Sequence, residues 1–148
     1  MNRLSKQISM VIALVHETHN SQLDKGGKPY VLHPLTVALT LVSQGYDNNT
    51  IITGLFHDVV EDNHYSIEDL HQMRYSQEVL DALMLLTHDK STDDMEYVEK
   101  AKTNPIAKAV KMADLLHNSD IEVITEKDEQ RFAKYESAMI LLKRNDAQ

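Results

Sequence analysis

The chain has no cysteine, which excludes disulfides and thiolate metal sites and is compatible with a cytoplasmic location, the one expected here. It has no tryptophan and only two phenylalanines, so platforms for stacking the bases of a nucleic-acid polymer are thin. A basic face is missing as well. The formal net charge is −8, and no Lys/Arg cluster stands ready to replace the counterions of a polymer. No apolar run approaches the roughly 20 residues that a membrane-spanning helix needs, and no membrane partner is expected. Residues 1–15 begin mildly basic and turn apolar, but Gln7 and Ser9 interrupt them, and His16, Glu17 and His19 follow where a cleavage site would need small residues. They read as an amphipathic helix and not as a signal peptide. What these absences leave open is a small anionic ligand, held locally.

The 148 residues, 42% hydrophobic and 26% charged, have the balance of one globular domain with a real core. Four glycines and three prolines give few break points, and strict apolar/polar alternation is scarce, so the expected fold is all-α, a single helical bundle over residues 1–148. A first helix would place Ile8, Ile12, Val15 and His19 on one face. The glycine-rich stretch at residues 24–29 is the clearest loop. A second helix is expected from Pro34 to about Gly45 and a third, capped by Asn48 or Asn49, through Ile51, Ile52, Leu55 and Phe56. Ser66 and Asp69 resemble a capping box. Ser76 would start a helix through Val79, Leu80, Leu83 and Leu86. Residues 88–92 read as loop, and Asn104-Pro105 suits the start of a helix through Ile106, Val110, Ala113 and His117. A last helix is expected from about Asp128 to Leu142.

The third helix runs out in Gly54-Leu55-Phe56-His57-Asp58-Val59-Val60-Glu61-Asp62-Asn63. Three carboxylates within five residues at a helix C-terminus meet the negative end of the helix dipole, each at a cost of roughly 0.3–1 kcal/mol. The simplest compensation is a bound cation; the plain alternative is a solvated acidic turn. His57 and Asp58 point about 100° apart on a helix, so an ion can sit in the groove between them, and imidazole with carboxylate suits a divalent transition metal. Two further donors stand at plausible places. His33 precedes Pro34 at the mouth of the second helix. Asp114 lies amid Ala113, Leu115 and Leu116, where a carboxylate needs a partner to be buried. Each has an ordinary structural alternative: His33 as a helix cap, Asp114 as the partner of Lys111. Asn118, four residues on, shares the Asp114 face.

These residues follow the H…HD…D signature of the HD superfamily of metal-dependent phosphohydrolases. The chain most resembles the hydrolase domain of RelA/SpoT-type alarmone enzymes. Three blocks carry the likeness in order: His19-Asn20-Ser21-Gln22 with Gly27-Lys28-Pro29-Tyr30-Val31-Leu32-His33-Pro34, then the His57-Asp58 block through Asp62, then Lys111-Met112-Ala113-Asp114-Leu115-Leu116-His117-Asn118. The likeness spans roughly residues 8–118 and leaves no length for a synthetase or regulatory domain, so the expectation is a stand-alone small alarmone hydrolase. The resemblance implies removal of the 3′-pyrophosphate of ppGpp-like nucleotides with a manganese ion. It implies His33, His57, Asp58 and Asp114 as metal ligands, Glu61 and Asp62 as the groups that orient or deprotonate water, and Lys25 and Asn118 as substrate contacts. Three positions depart from the family: Asp24 for an arginine expected to stack on the base, Ser21 for glycine, and Leu115 for a common arginine. Asp24 could instead accept hydrogen bonds from a guanine edge. Other phosphate esters stay open as substrates (a ppApp-type alarmone, the 2′-phosphate of NADPH, a deoxynucleotide), as does a nucleotide-binding module without catalysis. His117 reads as support for the Asp114 helix, His19 as structural, and His64 as a surface histidine.

Overall fold

The computed structural model describes residues 3–24, 26–88, 91–118 and 126–144. Among them lie eight α-helices and no strand: α1 (Arg3–Thr18), α2 (Leu32–Ser43), α3 (Asn48–Glu61), α4 (Ile67–Gln72), α5 (Gln77–Leu86), α6 (Asp94–Lys102), α7 (Pro105–Asn118) and α8 (Glu126–Lys143). The all-α expectation holds.

Helix α3 is the axis of the fold. Every residue from Thr50 to Val60 is buried, as befits a helix covered on all sides, and α1, α2, α5 and α7 all pack on it. Gly54 allows α2 close: a Cβ there would stand 2.8 Å from Leu41 Cδ1. Beyond this core a smaller apolar cluster, Tyr97, Val98, Leu115, Ala138, Leu141 and Leu142, joins α6, α7 and α8.

Several local expectations change. On α1 the fully buried residues are Val11 and Val15, while Ile12 is 38% exposed; the i, i+4 and i, i+3 steps from Ile8 are equally helical, and packing chose the second. Helix α2 begins at Leu32, two residues before Pro34, because the first-turn amides have no intrahelical acceptor and proline lacks only such an amide. Asp47, and neither Asn48 nor Asn49, caps α3: its side chain accepts from the Thr50 amide. The Ser66–Asp69 capping box is present. Helix α6 was not expected, since only Tyr97, Val98 and Ala101 are buried in an otherwise polar, acidic helix.

Candidate metal centre

The four predicted ligands meet where α2, α3 and α7 converge. His33 sits in the first turn of α2, His57 and Asp58 near the end of α3, and Asp114 in the second half of α7; all four are buried. His33 Nε2 lies 2.8 Å from Asp114 Oδ1 and 3.5 Å from Asp58 Oδ2, and His57 Nε2 lies 3.2 Å from Asp58 Oδ1 and 3.4 Å from Asp114 Oδ1. Donors held at roughly 2.0–2.2 Å from one ion stand about 3 Å from each other, so the spacing suits a single divalent cation. His33, His57 and Asp58 each present a ligand atom within 4.8 Å of the others. Two carboxylates match the charge of such an ion, and two imidazoles favour a transition metal.

The surrounding groups orient the donors. His57 Nδ1 donates to the Gly54 carbonyl at 2.6 Å, one helical turn back, which directs Nε2 toward the carboxylates. His33 Nδ1 lies 2.6 Å from His117 Nδ1, with the two rings stacked at 4.9 Å. The Tyr30 hydroxyl donates to Asp58 Oδ2 at 2.8 Å. Lys111 Nζ donates to Asp114 Oδ2 at 3.0 Å and lies over the Tyr97 ring. The lysine alternative for Asp114 is therefore real, yet it engages Oδ2 and leaves Oδ1 facing the histidines. Asn118 Nδ2 also reaches Asp114 Oδ1, at 3.3 Å.

Electrostatics follow this geometry. Burial pushes the Asp114 carboxyl up, but the Lys111 charge and the bonds from His33 and His57 outweigh it and hold it well below the usual carboxylate range. Burial pulls the His57 imidazole down, yet the Asp58 charge and the bond to Asp114 raise it to about 10. The cluster attracts positive charge strongly enough to protonate a buried histidine. Glu61 and Asp62 are both raised, first by partial burial of their carboxyls and next by the Asp58 charge; Lys111 offsets part of this at Glu61, and His19 with His64 at Asp62.

The remaining sequence candidates fare differently. Asp24 Oδ1 accepts from the amides of Gly26 and Lys28, both at 2.9 Å, so this oxygen holds its own loop. Lys25 lies outside the described residues. Sequence reasoning assigned no role to Tyr30, although it stands in the block at residues 27–34 that carries the resemblance.

Comparison with known proteins gives the family. A GTP pyrophosphokinase of Streptomyces coelicolor is 32% identical over 126 residues, covering 76% of this chain and 14% of that protein. A guanosine-3′,5′-bis(diphosphate) 3′-pyrophosphohydrolase of Aquifex aeolicus is 37% identical over 75 residues, 51% of this chain and 11% of that protein. A protein of the same name from Borreliella burgdorferi is 29% identical over 141 residues, 87% of this chain and 21% of that protein. The chain thus spans about a fifth or less of the length of these relatives. The family model described as HD domain matches residues 12–100, a span that includes His33, His57 and Asp58, and the chain belongs to the HD-domain family.

Proposed function

We propose that this protein is a metal-dependent phosphohydrolase that removes the 3′-pyrophosphate from (p)ppGpp-like alarmones in the cytoplasm, giving GDP or GTP and pyrophosphate. The observation that carries the reading is the meeting of His33, His57, Asp58 and Asp114 through their ligand atoms, with two raised carboxyls, Glu61 and Asp62, in the next turn. Relatives named for this hydrolysis cover much of the chain, which supports the substrate class.

The four residues would hold one divalent ion, manganese in this reading. When bound, such an ion lowers the pKa of water and polarises a phosphoryl oxygen. The chain's own residues do the rest. Asp114, paired with Lys111, stays ionised, and Asp58 is held in place by the Tyr30 hydroxyl. Glu61 and Asp62 orient a water and accept its proton; their raised pKa values bring them closer to neutral pH, where a carboxyl exchanges protons best. The water oxygen forms a bond to the phosphorus next to the ribose, the bond from that phosphorus to the 3′-oxygen breaks, and the 3′-oxygen takes a proton. Lys25 and Asn118 would contact the substrate.

Asp24 supplies a reason for a second reading. Where the family places a cation against the base, this chain has an acid already tied to Gly26 and Lys28. A base other than guanine, as in a ppApp-type alarmone, fits that change. A different phosphate ester is the wider form of the same alternative.

The test is product analysis of purified protein with ppGpp and with ppApp, with and without manganese, reading pyrophosphate and free phosphate. Pyrophosphate release that needs manganese is expected, and Asp58→Ala should abolish it. No turnover of either nucleotide by metal-loaded protein would overturn the reading, and free phosphate from another ester would move it to the second.

A further inference from the structure

His19 holds the one buried side-chain polar atom among the described residues that finds no hydrogen-bond partner, its Nε2. The residue is 1% exposed, and its other nitrogen is engaged by Gln22 Oε1 at 3.0 Å. A buried donor or acceptor without a partner is uncommon and calls for an explanation. This one has neighbours that supply it. His19, Asp62 and His64 present ligand atoms within 4.8 Å of one another, a group separate from the four-ligand centre.

The backbone builds this group deliberately. The end of α3 closes in a Schellman turn: the His64 amide donates to the Val59 carbonyl at 3.0 Å and the Asn63 amide to Val60 at 3.1 Å. Asn63 occupies the left-handed region at φ 61°, which asparagine tolerates better than most residues. That reversal brings the side chains of Asp62 and His64 back over the end of α1, where His19 waits. The His64 ring meets His19 edge-on at 5.6 Å, and Tyr30 packs on His19 at 5.0 Å. Since the Tyr30 hydroxyl is bonded to Asp58, one tyrosine forms a wall common to both groups.

We propose that His19, Asp62 and His64 form a second divalent-cation site beside the four-ligand centre. Two imidazoles and one carboxylate select a transition ion of the zinc, cobalt or manganese type over magnesium or calcium. The ion gives His19 Nε2 the partner it lacks and neutralises part of the acidic end of α3. Three protein donors leave positions open on it, as in catalytic zinc sites, for water or a phosphate oxygen. The site shares no residue with the four-ligand set; it does share Asp62 with the proposed hydrolysis, one carboxylate oxygen serving as ligand and the other left for water.

The full-length chain, stripped with a chelator and dialysed against cobalt, tests this by metal analysis and by the visible absorption of bound cobalt. Two equivalents are expected for the wild type. His64→Ala, at an exposed position that leaves the core untouched, should bind one equivalent, and His19→Asn should do the same. Asp58→Ala should lose the other equivalent and keep the one that depends on His64. Folding of each variant is read from its far-ultraviolet circular dichroism. A wild type whose single equivalent survives His64→Ala, a folded His64→Ala protein that still binds two, or an Asp58→Ala protein that binds none would each overturn the second site. An Asp58→Ala protein that still holds two would instead count against the four-ligand centre and leave this proposal standing only if His64→Ala removes one.

Discussion

His117 stacks on His33, with the two Nδ1 atoms 2.6 Å apart, and so bears on how His33 faces the ligand cluster. A neutral His33 that gives Nε2 to an ion keeps its proton on Nδ1, and His117 Nδ1 stands where it can accept it. Removing that acceptor frees the His33 ring and its tautomer. Partners of this kind typically contribute 10–100-fold to metal affinity, so His117→Ala should weaken manganese binding by about that factor with the fold intact. Unchanged affinity in a metal titration would show that packing alone holds His33. His57 makes a different prediction. Its pKa of about 10 means that before an ion enters, the imidazole is protonated at pH 7, and a ligand must be neutral. Metal binding should therefore release a proton from His57, and apparent affinity should rise with pH up to about 10. Calorimetric titrations at pH 7 in buffers of different protonation enthalpy read the proton count directly. A count of zero would contradict the raised pKa. The four side chains that meet could be picked out in the sequence because imidazole and carboxylate carry their chemistry in their identity. The Gly54 carbonyl that orients His57 was not, because any residue supplies a carbonyl.

At the scale of the element, the centre depends on where α3 starts and stops. Asp47 Oδ1 accepts from both the Thr50 amide and the Thr50 hydroxyl, at 3.0 and 2.7 Å, three turns before His57. Losing such a cap costs about 1 kcal/mol. Asp47→Ala should thus lower stability to chemical denaturation by about that amount and leave metal affinity unchanged. A loss of affinity with no loss of stability would mean that the cap positions the far end of the helix instead of merely anchoring it. The stop is set by the Schellman turn through Asn63. Helices with dense apolar spacing, α3 and α5, were readable from sequence because burial on most sides leaves little else for those residues to do. Helix α6 was not, because three buried residues among nine give no repeating stripe. The true cap, Asp47, was passed over for the adjacent asparagines because three capping residues in a row have near-equal preference, and only the backbone geometry separates them.

For the whole molecule the proposed centre would act as a cross-link. Its ligands come from α2, α3 and α7, which touch one another pairwise, and His33 and Asp114 are 81 residues apart in sequence. An unfolded chain has no such arrangement, so an ion that binds only the folded state adds its binding energy to stability. The same reasoning explains why a net charge of −8 is tolerable around buried Asp58 and Asp114: the acids are balanced by the proton on His57, by Lys111, or by the ion. Manganese at about 100 times its dissociation constant should stabilise the fold by about 2.7 kcal/mol. For a domain of this size that corresponds to roughly 5–10 °C in melting temperature, at roughly 2–4 °C per kcal/mol. The comparison that isolates the centre is Asp58→Ala under the same conditions, where the part of the increment due to this centre should vanish, because one of four ligands and one of two carboxylate charges are lost. If manganese raises the melting temperature of wild type and variant equally, the stabilising ion sits elsewhere, and the three helices are held together by packing alone.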